Sequence, residues 1–182
     1  FGSEGNLGII TKAVIKLHER PKCQEYNSVL FKKWEEGVSF LNALSKTNFI
    51  PASVRLVDNI QFRFGQALKP RPEGLKKIKS QLEKFVVVNF KKFDPDKMCA
   101  LTIVMEGSKD EVSYQQKNIK KLAKLYKGMI GGSDNGKRGY MLTYAIAYVR
   151  DFVSSFQIMG ETMETTVPWS KIQNVIDAAS KA

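Results

Sequence analysis

The sequence predicts an α+β fold, with an antiparallel sheet and helical insertions, from the type and the order of its apolar segments. Short segments alternate apolar and polar residues, as strands do, and longer ones repeat apolar residues every three or four positions, as helices do. They follow each other as strand–helix–strand and then, after further helical segments, as strand–helix–strand again. The 182 residues, 43% of them hydrophobic, are enough for one or two domains with a packed core.

The strands are predicted from this alternation and from the residues that interrupt it. Residues 8–17 alternate apolar side chains with lysines, which indicates a half-buried strand that Pro21 ends. Residues 157–166 are predicted to be extended and to return to the sheet. The other strands are predicted at residues 26–31, 52–57, 99–106 and, as a short strand with a turn, 128–132.

The helices are predicted from apolar stripes and from the residues that begin or break them. Asp58 can cap a helix, the KPRPEG sequence at 69–74 predicts a mobile loop, and Asn135-Gly136 predicts a turn before a long helix. Helices are predicted at residues 34–45, 59–68, 75–90 and 110–126, over roughly four turns after Asn135-Gly136, and from 168 onward. This order of elements is that of a ferredoxin-like sandwich.

The long helix predicted after Asn135-Gly136 carries two distinct faces. Arg150 shares one face with small residues, a shallow trough that suits a phosphate or a carboxylate. The alternative is that Arg150 is favoured by the dipole at the helix C-terminus and pairs with Glu161 or Glu164. The small residues are Thr143, Ala147 and Ser154. The other face is a stripe expected in the core or in a pocket wall, formed by Tyr140, Tyr144 and Tyr148.

Arg55 lies within a predicted strand, where an unpaired cation is costly to bury. We therefore expect Arg55 to have an anionic partner or to face a wet site, and a rim arginine in an ion pair is the alternative. The two cysteines, Cys23 and Cys99, lack metal-ligand spacing and predict free thiols in a reducing compartment. The single histidine, His18, is predicted to be a surface residue, and no metal site is expected.

The net charge of +11 has three interpretations. Lysines gather at residues 74–84, 91–97 and 117–127, and they form a solvated face or bind an anionic lipid surface or nucleic acid. The basic amphipathic helix predicted at 75–90 packs on its own domain or lies on a membrane surface.

An RNA-recognition module is the alternative from a different class of protein. Arg138-Gly139-Tyr140 begins like its stacking motif, but Leu142 and Ala145 stand where aromatic residues stack on bases. We therefore expect no nucleic-acid partner.

The first ten residues, FGSEGNLGII, combine three glycines with short polar side chains ahead of a predicted strand. Such a loop can bring backbone N–H groups against a phosphate or a flat heterocycle, and it can equally be a plain turn. The wording GSEGNLGIIT resembles the junction motif of FAD enzymes of the vanillyl-alcohol-oxidase superfamily. In that superfamily the motif ends the flavin-binding domain and opens the cap domain.

Further stretches resemble one family within that superfamily over nearly all of the chain. PASVRLVDN with QFRFGQALKP, DNGKRGYMLTYAIAYVRD and the closing ETTVPW are similar to the alkylglycerone-phosphate synthase family. The resemblance implies exchange of the acyl chain of acyl-dihydroxyacetone phosphate for a long-chain fatty alcohol, which makes an ether lipid. It also implies FAD, which acts without net redox change and holds the glycerone carbon covalently at its N5 atom.

The resemblance also assigns roles to residues. Arg150 matches a substrate-binding arginine, and Arg55 matches an arginine important for activity. The FAD-contacting residues implied are Glu4, Gly5, Asn6, Leu7, Gly8, Ile9 and Ile10. The catalytic tyrosine and the triple-histidine stretch of the family have no counterpart in these residues, so we expect a fragment that is inactive alone.

The same resemblance implies a domain division and a cellular setting. Residues 1–20 would end the FAD-binding domain with its last strand, and residues 21–182 would be a ferredoxin-like cap domain. A homodimer and a peroxisomal location with peripheral membrane contact are implied for the whole enzyme. The alternative within the superfamily is an FAD-dependent 2-hydroxy-acid dehydrogenase of the D-lactate or glycolate type, which shares the opening motif and an active-site arginine.

Overall fold

The computed structural model describes residues 6–68, 89, 91–160 and 164–181. The strands within these ranges are β1 (Cys23–Phe31), β2 (Ser53–Val57), β3 (Cys99–Gly107) and β4 (Met129–Ile130). The helices are α1 (Trp34–Leu44), α2 (Asn59–Ala67), α3 (Lys109–Leu125), α4 (Ser133–Ser154) and, after a 3₁₀ turn at Trp169–Lys171, α5 (Ile172–Ala179). The predicted loop at 69–74 and most of the predicted helix at 75–90 lie outside the described residues.

The four described strands form one antiparallel sheet in the order β2-β3-β1-β4. With α1 between β1 and β2 and α3 between β3 and β4, this is the ferredoxin-like order, so the predicted α+β fold class is confirmed. The long central strands β1 and β3 pair along nine residues each, from Cys23 opposite Gly107 to Phe31 opposite Cys99. The short strands β2 and β4 are the edges.

One face of the sheet carries the main core, because α1 and α3 cover it. Phe40 and Leu44 of α1, and Val112, Ile119 and Ala123 of α3, pack against alternate residues of the central strands. Ser108 caps α3 by accepting a hydrogen bond from the backbone N–H of Glu111, and the Glu111 carboxylate accepts one from the backbone N–H of Ser108. These caps and apolar stripes are local signals, which is why the sequence predicts both helices to within one or two residues.

The other face is crossed by α4 in very close contact. A Cβ on Gly136 would overlap with the backbone of Asn27 in β1, and a Cβ on Gly139 would overlap with the Thr102 side chain in β3. One turn further on, Thr143 accepts a hydrogen bond from Arg55 in β2. The helix therefore passes over β1, β3 and β2 in turn.

The predicted turn at Asn135-Gly136 is wrong. Both residues lie in the first turns of α4, which begins at Ser133 after Gly132 with φ 88°. Asn-Gly is a turn signal when the glycine is needed for positive φ, but Gly136 serves instead to let the helix approach the Asn27 backbone. The sequence alone does not distinguish a glycine that tertiary packing requires from a glycine that a turn requires.

The strand predicted at residues 8–17 is not paired with any of the described strands. Residues 6–20 have no strand pairing, and their apolar side chains are exposed, Val14 and Ile9 almost fully. Alternation provides one apolar face, but a strand also needs a neighbour for its backbone hydrogen bonds, and none of the described strands pairs with it. The predicted extended return at 157–166 likewise makes no sheet pairing where it is described.

Both cysteines are free thiols, as predicted, and His18 is exposed. Cys99 is buried in the main core, where its thiol lies 3.6 Å from the carbonyl oxygen of Lys33. Burial, and then the nearby carboxylate of Glu36, raise the pKa of the Cys99 thiol to about 12.

Replacing Gly136 by Ala tests the close contact of α4 with the sheet. Because a Cβ would overlap with the backbone of a central strand, we expect Gly136→Ala to lower the free energy of unfolding by roughly 1–3 kcal/mol, although Ala favours helix. Gly65→Ala in α2 is the control, since its Cβ would meet only the end of the Leu142 side chain at 3.2 Å. Urea unfolding that found Gly136→Ala as stable as Gly65→Ala would refute the packing.

The Cys99 thiol predicts a loss of stability at alkaline pH. Its folded pKa of about 12 exceeds the ordinary 9.0, so between these values the unfolded chain releases a proton that the folded chain keeps. Stability should therefore fall as pH rises through this window, by at most about 1.4 kcal/mol per pH unit. When the free energy of unfolding is measured by urea titration across this pH window, its fall with pH should be less steep in Cys99→Ala than in Cys23→Ala. Equal slopes in the two variants would contradict the assignment of this effect to Cys99.

Candidate functional site

A cleft of about 820 Å³ lies between α2 and α4 on the face of the sheet opposite the main core. Its floor comprises two rows of side chains that run across β2, β3 and β1 in register. The polar row consists of Arg55, Thr102 and Ser28. The apolar row beside it consists of Val57, Ala100 and Leu30. The floor thus has a polar and an apolar side.

Arg55 projects from β2 into this cleft and is exposed to it. Its Nη1 donates a 2.6 Å hydrogen bond to Oγ1 of Thr143 on α4. The expectation that Arg55 faces a wet site is therefore met by the described residues. The neighbouring Val54 and Leu56 pack on the main core, because they point to the other face of the strand.

Arg138 is a second cleft arginine, which the sequence interpretation did not assign to a site. It is half-buried, and its Nη2 donates a 2.7 Å hydrogen bond to Oδ1 of Asn135. Asn135 in turn donates from Nδ2 to the carbonyl oxygen of Gly131 at 2.6 Å, which fixes the orientation of its amide. Burial lowers the pKa of the Arg138 guanidinium from its usual value, and the charge of Asp134 partly offsets this.

Arg63 of α2 also lines the cleft, but its charge is paired. Its Nη1 lies 2.9 Å from Oδ1 of Asp96, an exposed ion pair. Most of the remaining lining is apolar and comes from α2, from the segment before β3 and from one side of α4. These apolar residues include Phe62, Leu68, Met98, Leu142, Ile146 and Val149. The cleft therefore has cationic groups at one side and an apolar wall along its length.

Arg150 lies apart from these arginines. It is exposed and follows Val149, which is the last residue of α4 to line the cleft. It is seven residues, or about 10.5 Å along the axis, beyond Thr143, the contact of Arg55. Glu161, one predicted partner of Arg150, lies outside the described residues. The substrate-binding role of Arg150 stays a prediction.

The tyrosine stripe on α4 is mostly exposed rather than core. Tyr140 packs against Tyr26 of β1, with ring centroids 5.8 Å apart, but Tyr144 is 62% and Tyr148 is 77% exposed. The hydroxyls of Tyr140 and Tyr144 lie 3.3 Å apart, and this hydrogen bond raises the pKa of Tyr140. Tyr148 is exposed because it comes more than a turn after Thr143, where α4 reaches the edge strand β2.

The predicted FAD-contacting segment is only partly described. Glu4 and Gly5 lie outside the described residues, while Asn6, Leu7, Gly8, Ile9 and Ile10 are exposed. Gly8 has φ 149°, and a Cβ there would meet nothing within 4 Å, so the backbone is open on that side. Whether this segment contacts FAD stays a prediction.

A second concave surface, of about 550 Å³, lies at the C-terminal end of α3 beside β4. Phe93 and Met129 form part of its apolar floor, and the ammonium group of Lys32 is 5.5 Å from the centre of the Phe93 ring. Its rim carries Lys32, Lys91, Lys120, Lys121, Lys124 and Lys127. Two of the predicted lysine clusters thus converge in space.

The described residues weigh against the RNA-recognition alternative. Arg138-Gly139-Tyr140 lies within α4 and not on a strand, and α4 covers the sheet face on that side. RNA-recognition modules stack bases on aromatic residues of an open sheet. Across the described parts of the chain, no three metal-ligating side chains come together, and none of the helices there is long and apolar enough to cross a membrane.

Comparison with known proteins now gives the family. The family model described as "FAD linked oxidases, C-terminal domain" matches residues 20–182. The chain belongs to this family. The division at residue 20 into two domains stays a prediction, because no second domain is described.

Several similar proteins are named alkyldihydroxyacetonephosphate synthase. The alkyldihydroxyacetonephosphate synthase of Caenorhabditis elegans is 40% identical over 94% of the chain, and that of Dictyostelium discoideum is 30% identical over 96%. A solved structure of alkyldihydroxyacetonephosphate synthase superposes on 99% of the chain with a TM-score of 0.79 and 29% identity. The chain spans 29% of the length of these two relatives and 33% of that structure.

Proposed function

We propose that this chain is the cap domain of an FAD-dependent alkylglycerone-phosphate synthase. The enzyme exchanges the acyl group of acyl-dihydroxyacetone phosphate for a long-chain alcohol, a step of ether-lipid synthesis. The observation that carries this proposal is the 40% identity over 94% of the chain to a relative that bears the synonymous name alkyldihydroxyacetonephosphate synthase.

The chemistry of the cleft supports the proposal independently. Acyl-dihydroxyacetone phosphate has a phosphate at one end and a long apolar chain at the other. The cleft has guanidinium groups at one side and an apolar wall along α4, and its volume of about 820 Å³ is in the range of ligand pockets. An amphipathic anion is therefore the class of ligand that this lining fits.

The contribution of the described residues to catalysis would be to bind and to orient. Arg55, held by Thr143, can engage an anionic or carbonyl oxygen of the substrate through its other N–H groups. The apolar wall excludes water from the alkyl chain, and holding the substrate in one orientation accelerates the reaction. Arg150, the exposed residue next to the cleft-lining Val149, is proposed as a second substrate contact.

FAD is the proposed cofactor, and residues 6–10 fit the edge of its site. Their exposure and the open backbone at Gly8 allow a flat ring system or a phosphate to approach without a side-chain clash. When bound, the flavin would supply the reactive ring for the exchange, in which the acyloxy group on the glycerone carbon leaves as fatty acid and the alcohol takes its place. We also propose a peroxisomal homodimer, with peripheral membrane contact through the basic segment 74–90 or through the concave surface beside β4 that lysines rim.

The 2-hydroxy-acid dehydrogenase is not favoured, because the similar proteins are named synthases. An exchange assay separates the two activities. With the complete FAD-loaded protein and acyl-dihydroxyacetone phosphate, hexadecanol should release fatty acid stoichiometrically with ether formation. Electron transfer from lactate to a dye should be absent. Dye reduction by lactate without fatty-acid release would overturn the proposal.

A variant of Arg55 tests the role of the cleft. Arg55→Gln removes a charged hydrogen-bond donor, so we expect catalytic efficiency in the exchange assay to fall by roughly tenfold or more. Arg20→Gln is the matched control, since Arg20 is exposed in the described segment before β1 and lies outside the cleft. Equal efficiency of the two variants would contradict a role for the cleft.

A further inference from the structure

We propose that Arg55 and Arg138 together form a binding site for a phosphate monoester at the polar side of the cleft. The assignment of this group to the substrate rests on the proposed function, in which the head group is dihydroxyacetone phosphate. The site itself is argued from the contacts of the two guanidinium groups.

Neutral partners on α4 orient both guanidinium groups. Arg55 donates to the Thr143 hydroxyl at 2.6 Å, and Arg138 donates to the Asn135 amide oxygen at 2.7 Å. A neutral acceptor fixes the direction of a guanidinium without cancelling its charge, whereas Arg63 in the same cleft is neutralised by Asp96. Two directed positive charges therefore face one cavity.

The support for Arg138 extends beyond a single hydrogen bond. Its partner Asn135 is itself held by the carbonyl oxygen of Gly131, so the acceptor cannot turn away without losing a bond. The Arg138 guanidinium is also half-buried and so has lost part of its hydration. Pairing with a bound anion would compensate for this loss. The acidic group that faces it from its own helix is Asp134, which is exposed.

Two guanidinium groups without an acidic hydrogen-bond partner favour a dianion over a carboxylate. The acceptors that hold them, Thr143 and Asn135, are eight residues apart on α4, or about 12 Å along the axis. A phosphate between them would therefore draw both long side chains toward it, and each keeps N–H donors that the described contacts do not use. Thr102 of the polar row lies between them, with its side chain beneath Gly139, and adds a hydroxyl to the floor.

The apolar wall gives the ligand a direction. Leu142, Ile146 and Val149 continue along the same side of α4 from Arg138 toward its C-terminus. The distance from Arg138 to Val149 is eleven residues, or about 16.5 Å. A phosphate ester with a long chain would therefore lie with its head at Arg138 and its chain along this wall.

Binding of dihydroxyacetone phosphate to the complete FAD-loaded protein tests the site by calorimetry. Because a charged hydrogen-bonding group is removed, Arg138→Gln should weaken binding about 10–100-fold. Arg138→Lys keeps the positive charge but lacks the planar guanidinium that donates two parallel hydrogen bonds, so it should recover part of the lost affinity. Lys137→Gln is the matched control, since it makes the same charge change at the adjacent exposed position outside the cleft and should bind normally.

Kinetics add a readout that a merely structural role of Arg138 would not give. The KM for acyl-dihydroxyacetone phosphate should rise in Arg138→Gln while the KM for hexadecanol stays unchanged. FAD content and the midpoint of urea unfolding should match those of Lys137→Gln. Loss of FAD or of folding in both Arg138 variants would assign Arg138 a structural role and overturn the proposal.

The remaining outcomes separate this site from the proposed function. Normal exchange activity with unchanged phosphate affinity in Arg138→Gln would overturn the site and leave the function intact. Weakened binding in Arg150→Gln but not in Arg138→Gln would assign the phosphate to Arg150 and also overturn it. Binding that depends on Arg138 in a protein without exchange activity would support the site and refute the function.

Discussion

The close contact of α4 with the sheet determines the candidate site. Gly136 lies on β1, Gly139 on β3, and Thr143 reaches Arg55 on β2, so successive turns of the helix meet successive strands. This match is possible because the pitch of an α-helix, about 5.4 Å, is near the spacing of strands, about 4.8 Å. The two glycines allow the backbones to approach, and that approach brings the helix within hydrogen-bonding distance of Arg55.

Strand alternation places the main core on one face of the sheet and the candidate site on the other. One set of alternating residues in β1 and β3 packs under α1 and α3 in the main core, and the other set forms the cleft floor. Arg55 is tolerated in a strand because it belongs to the cleft set, while its neighbours Val54 and Leu56 belong to the core set. A change on one face can therefore alter binding with little effect on the core.

Local signals made most of the fold predictable, while the site depends on contacts between distant residues. Caps such as Asp58, which accepts from the N–H of Gln61, and regular apolar stripes mark elements within a few residues. The role of Gly136 could not be predicted, since it depends on a strand more than 100 residues earlier. Arg138 was missed for a related reason. Helical spacing indicates that Arg138 shares one side of α4 with Asn135, Leu142 and Val149. Only the fold shows that this side faces a cleft.

The family likeness and the cleft chemistry are separate supports for one account, in which a cap domain holds an amphipathic phosphate ester along α4. A crystal structure of the complete protein with dihydroxyacetone phosphate tests it most directly. The account predicts phosphate oxygens about 3 Å from the guanidinium groups of both Arg55 and Arg138, with α4 in contact with Asn27. A phosphate bound away from Arg138, or a helix lifted from β1, would contradict it.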